Sequence, residues 1–206
     1  MENLETITLG TFTAYIHNDE HAESPREWDN LGTMIFRGTY SHLGDKHEVD
    51  FSECTRYSDD VKAIQKVYGS DCIMLTVYGY SHGGLTISTS PFYCKWDSGI
   101  LGHVVVSRKT IREEWSIKRI TEKTKQKMIE ILKGEVETLN QYVMGDVYGY
   151  TIIDESANGE DEGDKDSCWG FYGIDSVKDE VKMMLEYYHK EQLKHEGEQQ
   201  ELKLSA

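Results

Sequence analysis

Between Thr121 and Met144 the residues Met128, Ile131, Leu132, Val136, Leu139 and Val143 recur with the 3.6-residue period of an α-helix, and no proline interrupts them. A helix with one continuous apolar face is not stable alone in water, so the rest of the chain must supply a surface for it to lie on. That surface reads as strands. Ile7 and Leu9, then Phe12, Ala14 and Ile16, alternate on either side of Gly10, which predicts a hairpin with one buried face. Thr33 to Arg37, Cys72 to Tyr80, Leu85 to Thr89, His103 to Val106 and Val147 to Ile153 read as further strands. Ser58, followed by Asp59 and Asp60, marks a helix start, and Ser107 caps a short helix carrying Ile111 and Trp115. A last helix starts near Ser176 and uses Val177, Val181, Met184, Leu185 and Tyr188. The pattern predicts an α+β fold, a mainly antiparallel sheet with two longer helices (about 121–144 and 176–195) packed on it. It is read as one domain over 1–196, followed by a polar, disordered tail over 197–206.

The 206 residues suit one core, and 11% aromatic content argues against disorder even though 29% of the chain is charged. The formal net charge is −15, a field that repels phosphate backbones and anionic membranes. Direct nucleic-acid binding is therefore not expected. No apolar run approaches the roughly 18 residues that a membrane span needs, and the acidic start Met1-Glu2-Asn3-Leu4-Glu5 does not read as a signal peptide. Cys54, Cys72, Cys94 and Cys168 are scattered without a Cys-x-x-Cys pair, which fits reduced thiols in a cytoplasm. Charge is segregated along the chain. Residues 17–60 carry eleven acids against four bases and residues 154–166 seven against one, whereas residues 95–133 carry ten bases against five acids. That basic segment is either a solvated helix face or a docking face for an anionic ligand or partner.

Six segments hold the residues that could carry chemistry. In Ser24 to Gly32, Arg26 and Trp28 are recognition types, and Asp29 and Asn30 can build a turn; the competing reading has Trp28 plug the core and Arg26 pair with a nearby acid. His42, Asp45 and His47 could ligate a divalent metal, although no third ligand follows at an established zinc spacing. Ser81 beside His82 is tempting as a nucleophile and base, but adjacent strand residues point to opposite sides. Ser90 to Gly99 and Asp166 to Gly173 each set a Cys, a Trp and an Asp beside glycines, as a stacking pocket or as a Trp-plugged core. Asp154 to Asp166 begins like a calcium loop but has Lys165 where a bidentate Glu is required.

Taken together, Ser24 to Gly32, Ser90 to Gly99 and Asp166 to Gly173, with Glu135-Val136-Glu137, Gln141-Tyr142 and Gly145 to Gly149, resemble a set of small proteins encoded by bacteriophages, prophages and plasmids. The resemblance implies a mobile-element accessory protein acting in the cytoplasm of a bacterial host, and accessory proteins of this size and acidity often antagonise host defence. The leading expectation is thus a binding protein rather than an enzyme, inhibiting a host defence protein through its acidic surface as DNA mimics do. Its contact residues are expected among Arg26, Trp28, Asp29, Asn30, Trp96, Asp97, Arg108, Asp166 and Trp169. No cofactor or membrane is expected, and the apolar residues of the last helix leave a homo-oligomer open. The alternatives are a nucleotide-signal sponge using the tryptophans and arginines, and a metal-dependent phosphodiesterase using His42, Asp45 and His47, or Asp97 and Asp166.

Overall fold

The computed structural model describes residues 3–157 and 163–204. Asn3–Leu9 (β1) and Phe12–Asn18 (β2) form the hairpin that the alternation demands, with Ala14 and Ile16 fully buried. Its turn has two residues. Gly10, the first of them, sits at φ 64, the type II′ geometry that matches strand twist, and a Cβ there would lie 2.6 Å from His189 Nδ1. Val147–Asp154 (β7) pairs antiparallel with β2, setting Tyr150 opposite Ile16 and Ile152 opposite Ala14. Asp164–Tyr172 (β8) closes the sheet on β7, in the order β1-β2-β7-β8. Helix Ile174–Leu204 (α4) buries Val177, Val181 and Leu185 against Phe12, Ala14, Ile16, Tyr150 and Ile152.

Between β2 and β7 the chain builds a second sheet from Thr33–Phe36 (β3), Ile73–Ser81 (β4), Leu85–Ser88 (β5) and Ser98–Val106 (β6), all antiparallel in the order β3-β6-β4-β5. Residues 101–106 of β6 are buried on both faces, which is why they read as an apolar run rather than an alternation. Val104 and Val106 meet Met128, Leu132, Val136 and Leu139 of helix Glu122–Met144 (α3). Val105 turns the other way, joining Ile35, Val49 and Ile64 beneath helix Tyr57–Tyr68 (α1). Ser107 caps helix Arg108–Glu114 (α2), its Oγ accepting from the Thr110 amide at 3.0 Å.

The α+β class and the antiparallel pairing agree with the sequence reading. The structure differs from it in three respects. Among the described residues there are two four-stranded sheets rather than one, and the chain divides into two compact units, Ser24–Met144 and the remainder up to Glu23 and from Gly145 onward. The second unit is inserted in the sequence between two strands that pair with each other, β2 and β7. β8 went unrecognised because its acidic start and Gly170 mask any alternation. Residues 197–204 of the expected disordered tail lie within α4, their Glu, Gln and Lys being good helix formers with no proline among them, and residues 205–206 lie outside the described residues.

Candidate functional site

The segment Ser24 to Gly32 enters as a 3-10 turn, Pro25–Glu27, and delivers Arg26 inward. The guanidinium side chain is only 6% exposed. Its Nε and Nη2 donate to both carboxylate oxygens of Asp45 at 2.9 and 2.5 Å, Nη1 donates to Glu135 Oε2 at 3.2 Å, and Nη2 also reaches the Gly32 carbonyl at 2.6 Å. Glu135 accepts from the amides of Leu31 at 2.8 Å and Gly32 at 3.1 Å, and Asp45 from that of Met34 at 2.7 Å. Gly32 permits this approach, because a Cβ there would lie 2.8 Å from Val104 Cγ2 and 2.9 Å from Glu135 Oε2. Burial opposes the charge on Arg26, but the hydrogen bonds and charges of Asp45 and Glu135 outweigh it and raise the guanidinium pKa above its ordinary value. Asn30 Nδ2 closes the loop by donating to the carbonyls of Pro25 at 2.8 Å and Trp28 at 2.9 Å. Arg26, Asn30 and Asp45 thus act as a structural clasp. A cleft of about 710 Å³ opens beside it, with Trp28, Asp29, His42 and Lys46 in its wall.

The segment Ser90 to Gly99 is built in the opposite sense. Its base is tied down: the Ser81 amide donates to the Asp97 carbonyl at 2.8 Å, the Ser90 amide to Ser88 Oγ at 3.0 Å, and Ser98 Oγ to the Cys94 carbonyl. The Cys94 thiol donates to Asp97 Oδ2 at 3.7 Å, and the same oxygen lies 3.4 Å from His82 Nδ1. Phe92 lies against the Tyr80 ring, 5.6 Å between centroids. From this anchored base Tyr93 and Trp96 project with relative exposures of 104% and 96%. Ser81, His82 and Asp97 do not form a nucleophilic relay, for the Ser81 hydroxyl accepts from Tyr40 at 3.3 Å rather than meeting the imidazole.

The remaining sequence candidates are placed as follows. His42 Nδ1 is 3.0 Å from the Thr39 carbonyl, and His47 Nδ1 accepts from the Val49 amide at 3.2 Å. With Asp45 held by Arg26, these three are not gathered, and among the described residues no group of three His, Cys, Asp or Glu is placed to hold a metal. Arg108 pairs with Asp71 at 3.2 Å. Asp166 accepts from the Tyr150 hydroxyl at 3.4 Å, and burial together with that carboxylate raises the phenol pKa well above its ordinary value. Trp169 lies across Gly149, stacks on His17 at 6.1 Å, and walls a cavity of about 550 Å³ with Asn18, Asp19, Glu20 and His21. Asp166 and Trp169 belong to one compact unit; Arg26, Trp28, Trp96, Asp97 and Arg108 belong to the other. Residues 158–162, within the segment that begins like a calcium loop, lie outside the described residues.

Sequence reasoning names two residues, Glu135 and Tyr93, only as parts of motifs and gives them no role. Glu135 falls on the buried face of α3, three residues after Leu132 and four before Leu139; a carboxylate there needs a buried cation, and Arg26 was the signal's other half. Tyr93 sat inside a recognised motif but was not singled out. Comparison with known proteins finds no family model, curated protein or solved structure that the chain matches. No helix among the described residues is long and apolar enough to cross a membrane.

Proposed function

We propose that the chain is a non-enzymatic binding protein of a phage or other mobile element, acting in the bacterial cytoplasm to engage and inhibit a host defence protein. The observation that carries this reading is the pair Tyr93 and Trp96, fully exposed on a loop whose base is fixed by hydrogen bonds. Burying an aromatic side chain removes about 150–250 Å² from water, worth roughly 4–6 kcal/mol before ordering costs. Left in water, both rings forgo that gain; on a rigid loop they are anchors ready to enter a partner's pockets. The net charge of −15 supports a partner with a basic surface, since complementary fields speed encounter and exclude wrong partners. The resemblance of the three aromatic motifs to phage, prophage and plasmid proteins supports the setting.

The test is plating efficiency of phage on hosts carrying individual defence systems. Wild-type protein is expected to restore plating against one system, and Tyr93→Ala with Trp96→Ala to abolish the rescue without lowering the melting temperature. Unchanged plating across a broad panel of systems would overturn the reading.

A further inference from the structure

We infer that the surface formed by α2, the 115–121 connection and the first turns of α3 docks an acidic segment of a partner protein. Residues 108–127 hold eight Lys and Arg against three Glu, so in a chain of net −15 the remaining residues carry −20. Arg112, Lys118, Arg119, Lys123 and Lys127 are all exposed. Arg108, Lys109 and Lys125 have carboxylate partners, but Arg112, Lys118, Arg119 and Lys123 have none among the described residues.

The cations are also brought together. Arg112 lies one turn before Trp115, the Lys127 ammonium sits 4.4 Å over the Trp115 ring, and Lys123 lies one turn before Lys127 on α3. Lys118 and Arg119 occupy the connection between. That connection is fixed: Ser116 adopts φ 50, its amide donates to the Glu113 carbonyl at 3.3 Å, that of Ile117 donates to the Arg112 carbonyl at 3.1 Å, and Ile117 and Ile120 pack on the core. A merely solvated helix face interleaves its signs, as α4 does with Lys178, Asp179, Glu180 and Lys182. Here Lys118 and Arg119 are adjacent and Lys123 and Lys127 lie one turn apart on α3, like-charge neighbours that cost repulsion until an anion arrives.

The occupant follows from the extent of the patch. At physiological salt, charges act over about 8 Å, so the patch senses only what lies on it. A nucleic acid or an anionic bilayer continues past the patch onto a surface of opposite effect, whereas a short acidic stretch of protein can end where the cations end. Exposed ion pairs contribute about 0.2–1 kcal/mol each, so four or five give weak, salt-sensitive docking that speeds encounter.

Fluorescence anisotropy of the full chain with a labelled oligoglutamate peptide tests the inference, with an oligothymidylate of equal charge and phosphatidylserine vesicles as competing probes. Wild type is expected to bind the peptide more tightly than either competitor, with affinity falling as salt rises. R112E/K118E/R119E/K123E should weaken peptide binding by at least about tenfold, whereas Trp96→Ala should bind as wild type does, separating this surface from the aromatic loop. If the quadruple variant fails to fold, K118E/R119E on the connection decides. Tighter binding of the oligonucleotide or vesicles, no peptide binding at low salt, or full binding by the folded charge-reversal variant would overturn the inference.

Discussion

The Arg26 guanidinium directs its donors to Asp45, Glu135 and the Gly32 carbonyl, and each carboxylate in turn holds backbone amides of Leu31, Gly32 or Met34. Removing the cation strands two carboxylates beside the core, so Arg26→Ala should cost about 3–5 kcal/mol in denaturant unfolding. Arg26→Lys should recover little of it, because an ammonium cannot reproduce the forked geometry. His103 is the opposite case. It is 2% exposed, neither ring nitrogen has a hydrogen-bond partner among the described residues, and the Tyr57 ring covers it at 5.3 Å. Burial lowers its pKa from the ordinary 6.5, against the smaller opposing pull of Asp60. The unfolded chain therefore takes up this proton first as pH falls, and stability present above about pH 6.5 drains away below it, by at most about 1.4 kcal/mol per pH unit. His103→Leu should flatten the unfolding free energy between pH 7 and pH 5, and an undiminished slope in that variant would exclude His103 as its source.

At the scale of elements, two connections carry the clearest expectations. Gly10→Ala meets both a positive φ and the His189 ring and should destabilise by more than about 1 kcal/mol. Ser107→Ala removes the α2 cap at a cost of about 1 kcal/mol, read in thermal unfolding. Period and caps made α3, the β1–β2 hairpin and α2 legible in advance, since local signals suffice there. β8 and the extent of α4 were not legible. A glycine-bearing edge strand has no clean alternation, and a polar helix end has no apolar face to announce it. The candidate site was half legible. Motif density located the Ser90 to Gly99 loop, but the clasp role of Arg26 depends on Asp45 and Glu135, which are nineteen and more than a hundred residues away. No local pattern encodes such a meeting.

At the scale of the whole molecule, fifteen surplus negative charges repel one another, and salt should relieve this. The melting temperature is expected to rise between very low and physiological ionic strength; a fall would mean that specific ion pairs outweigh self-repulsion. One sheet is inserted in the sequence between paired strands of the other. This insertion distributes the recognised motifs, with the aromatic loop and the basic patch both in Ser24–Met144. The most direct test of the central claim is quantitative mass spectrometry of tagged wild-type and Tyr93→Ala/Trp96→Ala protein purified gently from the bacterial host. The account predicts one host protein in near-stoichiometric amount with wild type, depleted roughly 30-fold or more in the double variant, as two anchor residues of hot-spot strength imply. Equal recovery by both forms, or a retained nucleotide in place of a protein, would contradict it.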